Sequence, residues 1–294
     1  MYKIKSMYIY NKQTTMAFPL SNKVDSSMYT TSFTPESSYV LGLLWADGYI
    51  CKKSNSITLQ CSKEDIDYFL PIFRKTGDVN VYYKHQSLNS KISGTIHFSS
   101  KIIADFLKEN DYTSKSISSP TKILSFIPKN LHKYFFLGWN DGDGCFYFSK
   151  NFTTIQAIVT SSYSQDWTAL ENMCRENAIS YTIKRIIRSN SKYSQFQINK
   201  NKDIYLLGEY LYNSHSLGLP RKKSKYTTIK EYIDKRYSQK IHCYDKEDNL
   251  LHVFNTLKEA SDWIGKSRNV STDIMQVCKG KQSSAFGYIW KKVT

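Results

Sequence analysis

Two aspartates, each flanked by small residues, are the side chains in this 294-residue chain best placed to do chemistry. Residues 39–50 read YVLGLLWADGYI and residues 135–146 read FFLGWNDGDGCF, so Leu41-Gly42 and Ala46-Asp47-Gly48 recur without gaps as Leu137-Gly138 and Gly142-Asp143-Gly144. On a helix, residues four apart share a face. Gly42 with Ala46, and Gly138 with Gly142, therefore make two narrow strips along which helix backbones can approach closely. Asp47 and Asp143 fall in the last turns, and Gly48 and Gly144 are expected to end the helices in the left-handed conformation. The two carboxylates then meet at one end of one interface. Left alone they repel, and one must take up a proton. Hard carboxylate oxygens beside the C-terminal carbonyls of Ala46 and Gly142 suit a divalent cation such as Mg2+. Paired ions of this kind can activate water and stabilise the leaving oxygen in phosphodiester cleavage. A single Asp-Gly is ordinary turn chemistry. Its repetition inside a shared frame is what argues for a site.

The elements that must hold these aspartates also repeat. After the first copy, alternating runs at Ser56 to Cys61, Val79 to Lys84 and Ile92 to Phe98 read as strands, with helices at Ser62 to Lys75 and Lys101 to Asn110. After the second, strands at 145–148, 154–160, 180–188 and 194–198 surround helices at 166–177 and 202–212. Each half is αββαββα, which predicts an α+β, pseudo-twofold chain divided into an extension (1–35), a first half (36–130), a second half (131–238) and a small C-terminal module (239–294). Pro120 and Pro128 argue for an irregular strap over Thr113 to Asn130.

The nine-residue segments VLGLLWADG and FLGWNDGDG resemble the paired motifs of the LAGLIDADG homing endonucleases, over roughly residues 36–237. The first departs from the pattern, with Trp45 where the second has Asp141. The resemblance implies a single-chain, monomeric, site-specific nuclease that uses two or three Mg2+ ions and makes a double-strand break in long duplex DNA. Relatives of the fold that act as RNA maturases or transcription regulators supply the alternative. It further implies saddle-shaped sheets along the major groove. Gln60 resembles the polar residue that orients water, with Thr160 or Ser161 as the second-half candidate. Lys101 and Lys202, opening the last helix of each half, resemble the basic residues around the scissile phosphates. Lys115 and Lys222, which follow that helix, serve the same pocket or contact the DNA backbone. Direct DNA contacts are expected from Lys52, Lys53, Tyr82, Lys84, Lys91, Lys184, Arg185, Arg188, Lys192, Gln195 and Gln197. The Trp45/Asp141 difference suggests unequal half-sites and a non-palindromic target.

Beyond Gln239 the pattern becomes ββ-helix-turn-helix-β, with Thr256 and Glu259 as a capping box. This layout resembles the small DNA-binding modules appended to homing nucleases, and places Lys266, Ser267, Arg268, Asn269, Ser271 and Thr272 toward DNA. Composition agrees with a polyanionic partner: 41 Lys and Arg against 25 Asp and Glu give a net charge of +16, beside 23 Tyr and 15 Phe. No apolar run approaches the length of a membrane span, and the N-terminal stretch lacks a signal-peptide core. A cytoplasmic, organellar-matrix or phage-infected-cell location is expected. Six scattered cysteines without CxxC spacing read as reduced thiols, not as a zinc site.

Overall fold

A computed structural model describes residues 24–51, 54–85, 92–213, 216–265 and 269–293. The expected contacts Lys52, Lys53, Lys91, Lys266, Ser267 and Arg268 lie outside the described residues, as do positions 1–23 of the extension. The fold is α+β. A short α1 (Ser27–Thr30) precedes the first half: α2 (Pro35–Asp47), β1 (Gly48–Ile50), β2 (Ser56–Ser62), α3 (Lys63–Arg74), β3 (Asn80–His85), β4 (Ile92–Ser99) and α4 (Lys101–Glu109). A strap containing α5 (Thr121–Phe126) leads to the second half. This comprises α6 (His132–Asp143), β5 (Gly144–Phe148), β6 (Ile155–Ser162), α7 (Thr168–Glu176), β7 (Thr182–Arg188), β8 (Ser191–Ile198) and α8 (Asn201–Tyr212). Helix α9 (Pro220–Ser238) follows, then β9 (Lys240–Tyr244), β10 (Leu250–Phe254), α10 (Leu257–Ile264), α11 (Val270–Cys278) and β11 (Ile289–Val293).

The two large sheets have the same antiparallel order, β1-β2-β4-β3 and β5-β6-β8-β7. On each, alternate residues feed the core and the remainder face away. Ile57, Leu59, Ile96 and Phe98 are buried in the first half, and Phe146, Ala157, Phe196 and Ile198 in the second. Both halves share one continuous apolar core, whose centre is the α2/α6 pair. Helix α2 begins at Thr34, which caps it reciprocally with Ser37, and Pro35 supplies a preset φ at its first position.

Two expectations need correction. Gly48 and Gly144 are extended, with φ of −73° and −80°, because each helix runs straight into a strand with no left-handed cap. They must be glycine for space. A Cβ on Gly48 would meet Leu44 O at 2.6 Å, and one on Gly144 would meet Asn140 O at 2.7 Å. The extension is also not separate from the first half throughout: Val24 bridges Gly77, and the fully buried Tyr29 shares a 2.6 Å hydrogen bond with Thr76. Helix α9 adds an element beyond the two repeats, favoured by Pro220 at its first turn and a glycine-free run to Ser238.

The C-terminal segment forms its own three-stranded sheet, β10-β9-β11, backed by α10 and α11. A separate core of Ile241, Cys243, Ala260, Val270, Ile274, Val277 and Trp290 holds it together. Thr256 caps α10 through Glu259 N, and Gly265 ends that helix in the left-handed conformation at φ 70°. No helix among the described residues is long and apolar enough to cross a membrane.

Candidate active site and nucleic-acid face

The glycine strips determine how closely α2 and α6 meet. A Cβ on Gly42 would lie 2.0 Å from Phe135 O, and one on Gly138 would lie 2.0 Å from Tyr39 O. Backbone therefore touches backbone, reciprocally across the pseudo-twofold. At the C-terminal end, Gly142 abuts Ala46 and the Asp47 carboxylate, at 2.2 Å and 3.1 Å from where its Cβ would be. Asp47 and Asp143 end their helices side by side, as their spacing predicts. Partial desolvation at the packed helix ends pushes both carboxyls above their ordinary range, although Asp47 is open to solvent, and Asp143, half-buried and further repelled by Asp47, is pushed up to about 6. The Trp139 indole, a neighbour the sequence did not suggest, opposes that shift.

Two lysines complete the site, and they are Lys115 and Lys222. Lys115 Nζ donates to Leu44 O at 3.1 Å and Ala46 O at 2.6 Å. Lys222 Nζ lies 2.7 Å from Asn140 O, 2.6 Å from Asp141 O, 3.1 Å from Gly142 O and 2.7 Å from Gly144 O. Each ammonium thus seats on the carbonyl end of a motif helix, where the backbone dipoles favour positive charge. Burial lowers both, Lys115 to about 8, while the aspartates pull Lys115 back up. Lys101 and Lys202 do not join this group. Lys101 is exposed and pairs with Asp105 on its own helix at 3.6 Å, and Lys202 is an exposed residue in the first turn of α8. The lysine that enters the site comes several residues after α4 and α8, on the chain that turns back toward the motif helices. Lys222 is only 7% exposed and spends its donors on carbonyls, so it is not a DNA-surface contact; the half-buried Lys115 is committed in the same way.

The strands place a polar pair next to each aspartate. Gly48 is in register with Leu59, and Gln60, the next residue along β2, is paired with Thr95 on β4. Gly144 is in register with Val159, and Thr160, the next residue along β6, is paired with Gln195 on β8. Gln195 Nε2 reaches Thr160 Oγ1 at 3.3 Å. The same Gln and Thr types recur with their strands exchanged. Thr160, and not Ser161, holds the position equivalent to Gln60; Ser161 turns the other way and donates to Gln165.

Register also sorts the expected DNA contacts. Tyr82 and Lys84 sit two apart on β3, opposite Thr95 and Ser93, and share the open face with Tyr49, which is 61% exposed. In the second sheet Thr160, Gln195 and Lys184 form one row, and Gln197 and Arg188 have the same parity. Gln197 is nonetheless buried, donating to Gln195 at 2.8 Å, with its Oε1 unpartnered among the described residues. Arg185 and Lys192 have the opposite parity and leave the expected set; Arg185 folds back to donate to Tyr163 O. In the C-terminal module, Asn269, Ser271 and Thr272 line an open concavity at the start of α11, together with Ser261 and Gly265. Asn269 adopts φ 85° there, directly before the first helical residue.

No protein-family model matches the chain, and no curated protein does. Solved structures are similar to it. The I-LtrWI LAGLIDADG homing endonuclease bound to target DNA shares 14% identity over 69% of this chain and 91% of its own, with a TM-score of 0.46. The LAGLIDADG homing endonuclease I-GzeII in complex with DNA target shares 14% over 70% and 91%, with a TM-score of 0.44. Full-length DUF199/WhiA from Thermatoga maritima shares 15% over 84% of this chain and 71% of its own, with a TM-score of 0.42. At these levels of similarity, function has to rest on the chain's own residues.

Proposed function

We propose that this protein is a LAGLIDADG-type, site-specific DNA endonuclease that makes a metal-dependent double-strand break in a long, non-palindromic duplex. The observation that carries the reading is the pair of aspartates, Asp47 exposed and Asp143 half-buried, side by side at the ends of two glycine-packed helices, each helix end gripped by its own lysine. The donor set fits a hard divalent cation such as Mg2+. Asp47 and Asp143 carry raised affinities for protons that a cation would displace, and the Ala46 and Gly142 carbonyls each keep a second lone pair beyond their lysine bond. Among the described residues no cluster of three or more His, Cys, Asp or Glu gathers, so phosphate oxygens and water would complete the coordination. Such an ion supplies charge stabilisation at the scissile phosphate and a more acidic water. Asp47 and Asp143 hold it, while Lys115 and Lys222 fix the helix ends that aim the carboxylates. Gln60 on one side, and Gln195 with Thr160 on the other, orient the attacking water.

One carboxylate per half suits one cut per strand. The open faces of the two sheets supply the duplex contacts, with Tyr82, Lys84, Lys184 and Arg188 foremost, and the C-terminal module extends the footprint through the start of α11. A monomer suffices, since both halves are in one chain. The test is incubation with Mg2+ and DNA from the gene's own neighbourhood, its flanking sequences rejoined, using Asp47→Asn with Asp143→Asn as the control. Cleavage by the wild type and binding without cleavage by the control are expected. If the wild type binds such DNA and cuts none of it, a maturase or regulator replaces the nuclease.

A further inference from the structure

Each site lysine is carried on a strap that is fastened to the opposite half. The strap bearing Lys115 lies against the start of α7 in the second half. There Asp166 N donates to Ile117 O at 2.9 Å, the buried Gln165 donates to Ser118 O at 2.7 Å, and Ala169 N donates to Ser119 Oγ at 2.9 Å. The second strap, which runs into the first turn of α9 where Lys222 stands, lies against the start of α3 in the first half, the pseudo-equivalent helix. Its fastening is ionic: Arg221 Nε reaches Asp65 Oδ1 at 2.9 Å and Nη2 reaches Oδ2 at 2.6 Å. Asp65 is itself fixed, its backbone N–H donating to the Ser62 hydroxyl that caps α3. Close to Lys115 the first strap is thus held by neutral hydrogen bonds, its ion pair to the second half, Lys129 with Glu176 at 3.0 Å, lying at its far end; the second is held by a bidentate ion pair on the residue next to its lysine, with a weaker hydrogen bond from Tyr68 OH to Ser216 O at 3.4 Å further back.

We propose that the Asp65–Arg221 pair is a positioning element that sets Lys222 across the pseudo-twofold, so that breaking it impairs one of the two strand cuts and leaves the other. Arg221 does not touch the aspartates; it acts by fixing the backbone from which Lys222 reaches the α6 carbonyls. Asp65 also cancels the repulsion that two adjacent cations, Arg221 and Lys222, would otherwise feel in a partly buried place. Lys115, fastened without charges, is indifferent to the pair.

This inference rests on the endonuclease reading for its catalytic consequence and stands apart from it for its structural one, so two readouts separate them. The first is amine-labelling of the full-length protein, followed by mass spectrometry, which needs no DNA. In Arg221→Gln, Lys222 should label roughly three- to ten-fold faster than in the wild type, the scale set by a half-exposed charge-assisted pair, with Lys115 unchanged. The charge-swapped double variant Asp65→Arg with Arg221→Asp should restore protection. Unchanged Lys222 labelling overturns the proposal, and so does a parallel rise at Lys115, which would make the pair a general brace. The second readout is the ratio of nicked to linear plasmid bearing a cleaved target. Arg221→Gln should accumulate nicks in one strand only, with the swap returning linear product. Equal slowing of both strands also overturns it. A wild type that cuts nothing, with labelling behaving as stated, sinks the nuclease reading and leaves the positioning of Lys222 intact.

Discussion

Gly42→Ala separates two opposite expectations. Helix propensity alone favours the substitution by about 1 kcal/mol, because alanine loses less backbone entropy than glycine. The α2/α6 seam forbids it. The new methyl carbon would stand 2.0 Å from Phe135 O and 2.8 Å from Trp139 N, and both atoms are backbone and cannot swing aside. Relief requires the helices to part by about 1.5 Å, and gaps of that order forfeit a quarter to a half or more of each dispersion contact along the seam. Overpacking of this kind costs about 1–3 kcal/mol and occasionally more. A 2.0 Å clash with backbone places this site in the upper tail, at about 3–5 kcal/mol, so that net of propensity we expect a loss of about 2–4 kcal/mol, or a fall in Tm of roughly 5–15 °C for a domain of this size. Urea titration followed by tryptophan fluorescence should show a lower midpoint with an unchanged slope. Gly138→Ala should behave alike, since its methyl would meet Tyr39 O at 2.0 Å. Gly142→Ala instead meets the Ala46 methyl at 2.2 Å, so adding Ala46→Gly should recover much of its loss. A Gly42→Ala protein as stable as the wild type, or more so, would refute close backbone packing and with it the meeting of Asp47 and Asp143.

Asp143→Asn should stabilise the metal-free protein at pH 7 by about 2–3 kcal/mol, with the gain vanishing toward pH 4. The sign follows because the folded pKa, about 6, exceeds the unfolded one, so the charged carboxylate penalises folding above pH 6 and not below the unfolded pKa. Guanidinium melts in EDTA across that range are the check, and a pH-independent difference would contradict it. Lys115→Ala should lower cleavage far more than Lys101→Ala, since only Lys115 reaches the helix end beside Asp47; single-turnover rates on one target decide between them. Lys184→Ala and Arg188→Ala should each weaken DNA binding and reduce the salt slope by about 1, while Arg185→Ala and Lys192→Ala leave both nearly unchanged. Binding titrations over a range of salt concentrations test that division by strand parity.

What was legible in the sequence was whatever obeys a local period. The repeated Leu-Gly and Asp-Gly frame placed both helices and both aspartates, and the αββαββα order emerged because strand and helix periods differ. The C-terminal module was readable for the same reason. Lys115 and Lys222 were visible as a pair, but their precedence over Lys101 and Lys202 was not, because it depends on where the chain goes after α4 and α8. Arg185 and Lys192 were grouped with their neighbours although period 2 alone sends them to the other face. The exchange of Gln and Thr between strands needed the cross-strand register, which links residues as far apart as Thr160 and Gln195. Tyr29 and the Asp65–Arg221 pair are likewise long-range partners with no local signature.

The difference between Trp45 and Asp141 has a different meaning once both are seen to be buried, each 2% exposed. Trp45 sets its ring edge-on to Tyr112, 6.0 Å between centroids, and Tyr112 donates to Leu44 O at 2.6 Å. Asp141 accepts from Tyr39 at 2.6 Å and from Leu219 N at 2.7 Å, although burial pushes its carboxyl up to about 6. Both positions therefore tie a motif helix to the strap that carries a site lysine, one through an aromatic contact and the other through hydrogen bonds to a carboxylate. Neither side chain can read DNA. On the proposed function, any inequality of the half-sites would instead come from the open faces of the sheets, where Tyr49, Gln60, Tyr82 and Lys84 on one side differ from the row of Thr160, Gln195 and Lys184 on the other. Half-site preference should accordingly move with substitutions at Tyr82 or Lys184, and Trp45→Phe should change stability without changing which sequence is bound.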